Sequence, residues 1–536
     1  MELLPLKACF SPSEPVEIAV RGAGGPVVVS LWRLDSRLEK VSVQADGKAA
    51  FGSLAEGGYG VEATGPAGAF ASTAFDVLVN PMSRPRYGFV AGFEAGRDPA
   101  AVVETARRLH LNAVQFYDWM YRHAQLLPPD DSFLDALGRA LSLATVRSLA
   151  AALRGAGSLP LGYAAVYAVG NDEWPEWEQA GLYRPDGATP WKLGDDFLRL
   201  VDPADEQWSE YLATELDRAL DEVGFAGFHL DQYGWPRRAL RRDGTEVDLG
   251  AAFPLLLARL RDRLPAATLV FNNVNDFPTW ATAGTAQDAV YIEVWPPHDE
   301  FGDLAGLIAK ARAIAPDKAP ILAAYQSVYE TAPTDEADST ARLGMATIFS
   351  RGGFQLLLGE EGSLLTGPYY PDHQILGAST LEMFRRWYDF VVRYGDLLFD
   401  RAAVDATRSF VGGINDSLKI EAPVAVSADP GAGALWVSVV ETRLGTVIHF
   451  INLTGQTNLS WNRPKQPVTP LEGVRLSLLR TTADAPTFAF GDPDGSSRLE
   501  QLSSRPEADW YDVVELPPLN TWGLVWIPAA ASTTTG

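Results

Sequence analysis

The chain has 536 residues, 47% of them hydrophobic and 21% charged, which is enough to bury more than one core and too apolar for intrinsic disorder. Its 44 Lys and Arg face 68 Asp and Glu, a formal net charge of −24 that disfavours gripping a nucleic-acid backbone or an anionic membrane surface. The single cysteine, Cys9, excludes an internal disulfide and any cysteine-built metal centre, and the six scattered histidines form no H-E-x-x-H pair. No phosphate-binding loop, dinucleotide fingerprint or G-x-S-x-G turn occurs. No uncharged apolar run nears the roughly 20 residues of a membrane helix. The first residues lack the charged and apolar regions of a signal peptide. The expectation is a cytoplasmic protein, or a secreted one whose leader has been removed.

Residues 1–84 read as short strands (16–20, 27–32, 59–63, 69–78) parted by Gly/Pro turns, the pattern of an immunoglobulin-like β-sandwich. From 85 to 400 the rhythm changes to alternating apolar strands and helical patterns. The strand candidates are 87–93, 113–116, 161–166, 225–230, 268–271, 290–294, 321–325 and 354–358. Helical stretches between them include 100–109, 208–220, 253–264, 304–314 and 341–350, with a last helix at 381–392. Residues 134–153 read as one amphipathic helix. Eight such units predict a (β/α)8 TIM barrel. Strands return over 401–536 and predict a second, C-terminal β-sandwich, ending in an Ala/Thr-rich tail (529–536) expected to fray. The segment 492–496, Asp-Pro-Asp-Gly-Ser, reads as a plain turn rather than a calcium loop.

Barrel enzymes carry their chemistry at the C-terminal ends of the strands. Four acids fall there: Asp118 after strand 2, Asp231 closing strand 4, Glu293 on strand 6 and Glu360 after strand 8. Any one could merely cap a helix or pair with an arginine. Asp231 and Glu293 stand out, because each interrupts an apolar strand end beside aromatics. Strands two apart are separated by roughly 9–10 Å, so a short Asp and a longer Glu leaning inward bring their carboxyl groups to about 5–6 Å, near the spacing of retaining glycosidases. Aromatics crowd the same end: Trp119, Tyr121, Trp174, Trp177, Trp191, Tyr233, Trp235, Trp295, Tyr369 and Tyr370. With few Lys or Arg among them, they suit an uncharged sugar. No site for a metal or cofactor is evident.

Three stretches resemble glycoside hydrolase family 66, the dextranases and cycloisomaltooligosaccharide glucanotransferases: Gln115-Phe116-Tyr117-Asp118-Trp119-Met120-Tyr121-Arg122-His123, Gly227-Phe228-His229-Leu230-Asp231-Gln232-Tyr233-Gly234 and Tyr291-Ile292-Glu293-Val294-Trp295. Weaker similarity covers 6–12 and 447–453. The resemblance implies cleavage of α-1,6-linked glucan with retention of configuration, with Asp231 as nucleophile and Glu293 as general acid/base. Tyr117, Asp118, His123 and Asn273 are expected to bind sugar hydroxyls, with Trp119, Gln232, Tyr233, Trp295 and Glu360 completing the substrate-binding set. The competing reading of Asp118 is a rigid loop in which it pairs with Arg122. In this family the cyclising transferases are known for an extra module between barrel strand 7 and its helix. Here that connection, about 326–335, has the length of an ordinary loop. The expectation is a monomeric endo-dextranase acting on a neutral α-glucan. A cyclising transferase and a non-catalytic carbohydrate-binding barrel are the alternatives.

Overall fold

A computed structural model describes residues 1–481, 485–508 and 510–529; the expected frayed tail lies, from 530 on, outside the described residues. At the centre is the expected barrel. Its strands are β1 (Tyr87–Val90), β2 (Ala113–Phe116), β3 (Leu159–Ala165), β4 (Gly227–Asp231), β5 (Thr268–Val274), β6 (Ala289–Glu293), β7 (Ala319–Ala323) and β8 (Phe354–Gly359). Neighbours pair in parallel around the ring, and β8 pairs with both β7 and β1, which closes it. All residues of β1, β2, β6, β7 and β8 are buried, as continuous apolar strands covered on both faces must be.

Around it lie α1 (Ala100–Arg108), α2 (Leu143–Gly155), α3 (Glu206–Val223), α4 (Leu249–Arg263), the single turn α5 (Thr279–Thr282), α6 (Phe301–Ile314), α7 (Thr334–Ser350) and α8 (Ala378–Arg393). Their ends follow local chemistry. Asp205 caps α3 by accepting the Trp208 N–H at 3.0 Å, and Gly224 ends it at φ 82°, a left-handed turn open to glycine. The stretch 134–153 departs from the sequence reading. Its first part forms an antiparallel hairpin (Ser132–Leu134 with Ala140–Ser142), and the helix starts only at Leu143. The Asp135 carboxylate accepts the N–H groups of Leu137 and Arg139, which makes a turn of residues that apolar periodicity alone would place in the helix.

Antiparallel sheets flank the barrel on both sides. At the N-terminal side a three-stranded sheet (Glu2–Pro5, Pro15–Arg21, Lys48–Ser53) faces a four-stranded one (Ser36–Val43, Val27–Arg33, Gly57–Thr64, Phe70–Val77) over a core of its own. The sequence reading passes over Ser36–Val43 because this edge strand is charged and almost wholly exposed, so it carries no apolar alternation. At the C-terminal side, seven- and four-stranded sheets enclose a third core. The junctions are ionic and centre on buried carboxylates. Glu62 accepts Arg393 of α8 at 2.9 Å and Arg498 of the C-terminal sheets at 2.6 Å. Asp76 binds Arg86 through both oxygens, at 2.8 and 2.6 Å. The 492–496 segment is a turn in which Asp492 accepts the Asp494 N–H at 2.7 Å, and the Asp494 carboxylate takes N–H bonds from Arg342 and Trp387.

Candidate active site

The C-terminal ends of the barrel strands open into a cavity of about 630 Å³. Asp231, the last residue of β4, and Glu293, the last of β6, both line it. Between them stands Asn272 of β5. Its Nδ2 donates to Asp231 Oδ1 at 2.7 Å and to Glu293 Oε2 at 3.0 Å. One nitrogen bonded to both oxygens limits their separation to the sum of the two lengths, about 5.7 Å. That bound lies close to the roughly 5–5.5 Å of retaining carboxylate pairs and below the roughly 6.5–9.5 Å of inverting ones. The remaining oxygens are also held: the Tyr163 hydroxyl of β3 donates to Asp231 Oδ2 at 2.8 Å, and the Tyr325 hydroxyl, beyond β7, donates to Glu293 Oε1 at 3.0 Å.

Burial raises the pKa of both acids, and the hydrogen bonds from Asn272 and the tyrosines oppose the rise. The charge of Asp231 pushes Glu293 further up, to about 7. The pair thus leans towards one ionised Asp231 and one protonated Glu293, the division of labour two close carboxyl groups need. Burial also pushes the Tyr163 and Tyr325 hydroxyls well above their ordinary pKa, so both stay donors.

Of the other residues singled out from sequence, Tyr117, Asp118, His123, Gln232 and Tyr233 line the cavity. Tyr117 stacks on Tyr370 with ring centroids 4.2 Å apart. Asp118 sits at φ 50° at the end of β2, a left-handed conformation that turns its carboxyl group towards the mouth. It faces Arg139 at 3.6 Å, whereas Arg122 bonds Asp172 at 2.7 Å, so the expected competing pair does not form. Burial raises the Asp118 pKa to about 7 against the pull of Arg139. His123 is buried with an unpartnered Nδ1, and burial lowers its pKa to about 4. Gln232 spends its amide on the Asn272 and Phe277 carbonyls and the Gly234 N–H, which makes it a support for the loop after β4.

Four residues lie outside the cavity lining. Asn273 points away from the mouth, donating to the Phe271 and Tyr291 carbonyls and accepting from Thr282. Successive strand residues face opposite sides, so its neighbour Asn272 takes the inward place. Trp119 is buried against Phe225 with its indole N–H on the Tyr163 carbonyl at 3.0 Å. Glu360 turns to the loop after β1, where it accepts the Ala91 and Gly92 N–H groups and pairs with Arg97. Trp295 stands outside the cavity lining, edge-on to Tyr325 at 6.0 Å. The sequence reading missed Asn272, Tyr163 and Tyr325. Tyr163 and Asn272 lie within β3 and β5, and Tyr325 lies two residues beyond β7.

Among the described residues, no group of three His, Cys, Asp or Glu is arranged to hold a metal ion, and no helix is long and apolar enough to cross a membrane.

Known proteins resemble this chain to different extents. A cycloisomaltooligosaccharide glucanotransferase of Niallia circulans is 28% identical over 313 residues, 53% of this chain and 32% of that protein. A dextranase of Streptococcus salivarius is 22% identical over 525 residues, 83% of this chain and 63% of that protein. The chain thus covers about a third of the first relative's length and just under two thirds of the second's. A crystal structure of a Paenibacillus sp. cycloisomaltooligosaccharide glucanotransferase complexed with cycloisomaltoheptaose shares the fold with a TM-score of 0.89 at 19% identity, over 98% of this chain and 99% of that one. The profile of Glycosyl hydrolase family 66 matches residues 7–526, and the chain belongs to that family.

Proposed function

We propose that the protein is a retaining glycosidase that hydrolyses internal α-1,6-glucosidic linkages of dextran and isomalto-oligosaccharides. The observation that carries the reading is the Asn272 bridge, which holds Asp231 and Glu293 close enough for attack by one carboxylate on a sugar protonated by the other. An inverting pair stands roughly 6.5–9.5 Å apart to admit water. In the first step Glu293 gives its proton to the glycosidic oxygen, the bond from that oxygen to the anomeric carbon breaks, and Asp231 forms an ester to the carbon. In the second, Glu293 takes a proton from water, the water oxygen attacks the anomeric carbon, and the ester opens to regenerate both groups. Asn272 and Tyr163 orient the nucleophile throughout.

Hydrolysis rather than cyclisation is favoured by the connection between β7 and α7. It runs over 324–333 and contains only the turn Val328–Thr331, with no added domain to keep a long glucan within reach of its own end. The opposing reading, a cyclising glucanotransferase, draws on the similarity to the glucanotransferases above. Separating the early products formed from dextran decides between them. Linear oligosaccharides are expected, and cyclic ones as the main product would reverse the choice. Asp231→Ala and Glu293→Gln should each lower kcat on dextran by about a thousandfold or more. Near-wild-type reducing-sugar release by either variant would remove that residue from the chemistry, and none by the wild type would make the barrel a binding protein.

A further inference from the structure

The C-terminal sheets reach the barrel mouth through the stretch between their strands Gly445–Asn452 and Arg475–Leu479. Its residues 459–461 run antiparallel to 299–301, in the loop after β6. The Phe301 N–H donates to the Leu459 carbonyl and the Trp461 N–H to the Asp299 carbonyl, both at 3.0 Å, and the Trp461 indole N–H donates to the His298 carbonyl at 2.7 Å. The next residue turns to the loop after β7. Asn462 Nδ2 donates to Ser327 Oγ at 3.0 Å, and Asn462 Oδ1 accepts the Val328 N–H at 3.4 Å. Trp461 is buried and packs with the barrel core rather than with that of its own sheets. Lys465, also buried, fixes the shape of the stretch by donating to Asn458 Oδ1 and the Ser460 carbonyl.

The two loops joined in this way deliver one end of the cavity. β6 ends on Glu293, and Tyr325, two residues before Ser327, donates to Glu293 Oε1. Trp295 on the first loop and Tyr325 on the second pack ring against ring. Neither Trp461 nor Asn462 lines the cavity.

We propose that Trp461 and Asn462 are positioning residues for Glu293: they stitch the loops after β6 and β7 together so that the Tyr325 hydroxyl stays on the Glu293 carboxyl group. This rests on the acid/base role given to Glu293 above. The Tyr325 bond favours the ionised carboxylate, so releasing it lets the Glu293 pKa rise. The titratable groups around Glu293 are Asp231 of β4, Tyr291 of β6, Tyr325 and Tyr370. Burial keeps the three tyrosines neutral, so the alkaline limb of the rate profile belongs to the Asp231–Glu293 pair.

The test compares Trp461→Phe, which removes only the indole donor and part of the ring, and Asn462→Ala with Tyr325→Phe. Each should lower kcat on dextran about tenfold, leave KM within about twofold and move the alkaline limb of kcat to higher pH. Adding Asn462→Ala to Tyr325→Phe should change little beyond Tyr325→Phe alone, because both remove the same restraint. An alkaline limb at the wild-type position in both Trp461→Phe and Asn462→Ala would overturn the proposal, as would full additivity with Tyr325→Phe. Glu293→Gln in the same assay tells the two failures apart. If it turns over at the wild-type rate, the acid/base reading falls. If it is inactive while the Trp461 and Asn462 variants keep the wild-type profile, only the positioning falls.

Discussion

Asn272 gives N–H bonds to both carboxylates, and each bond favours the charged form of its acceptor. Its removal should therefore do more than slow the reaction. In Asn272→Ala both pKa values rise, so the whole bell of kcat/KM against pH moves to higher pH, with the acid limb marking the ionisation of Asp231. A slower enzyme with an unmoved bell would mean that the amide matters for packing alone. Asp118 offers a second test with two readouts. A site built to hydrogen-bond a sugar hydroxyl loses about 2–4 kcal/mol of transition-state binding when that partner is weakened, so Asp118→Asn should lower kcat/KM accordingly. The same change should raise the melting temperature at pH 8. Burial lifts the Asp118 pKa from 3.8 to about 7 in the fold, so the carboxyl group favours folding below about pH 4 and loses that advantage as pH rises through 7. An amide has no charge to bury, and its gain at pH 8 should vanish at pH 4. The two catalytic candidates were legible in the sequence because each is a lone acid in an apolar run. Asn272 was harder to single out, since Asn-Asn at 272–273 gives two equal claimants and only the facing of β5 decides between them.

The supporting elements carry their own signature. Glu360, at the end of β8, holds the loop after β1 through two backbone N–H groups and Arg97, and it does so outside the cavity. Arg97→Ala strands a buried carboxylate, and breaking such a pair costs about 3–5 kcal/mol. Denaturant melts should show that loss while KM on dextran stays close to wild type; a raised KM with unchanged stability would place Glu360 in sugar binding after all. The barrel was legible because buried parallel strands must be apolar throughout, and β2, β6 and β8 fall within a residue of where their runs suggest. The hairpin at 132–142 was not, since its turn depends on one Asp135 side chain capturing backbone groups inside an otherwise helical pattern. That hairpin brings Arg139 to Asp118, so the element misread as helix is also the one that supplies the arginine Asp118 faces.

At the scale of the whole molecule, the bodies are tied through a carboxylate with little access to water. Glu62, from the N-terminal sheets, is 3% exposed and meets Arg393 of α8 and Arg498 of the C-terminal sheets at once. Neither flank can detach without leaving a buried ion short of its partner, which is expensive in a low-dielectric setting. The wild type should therefore absorb heat in a single calorimetric peak, and Glu62→Gln should split off an earlier one; a peak of unchanged shape and position in the variant would count against the linkage. Cooperative melting of this kind would set the working lifetime of the molecule. With flanks and barrel melting as one, a substitution that toughens either flank should lengthen the time for which turnover persists at a given temperature.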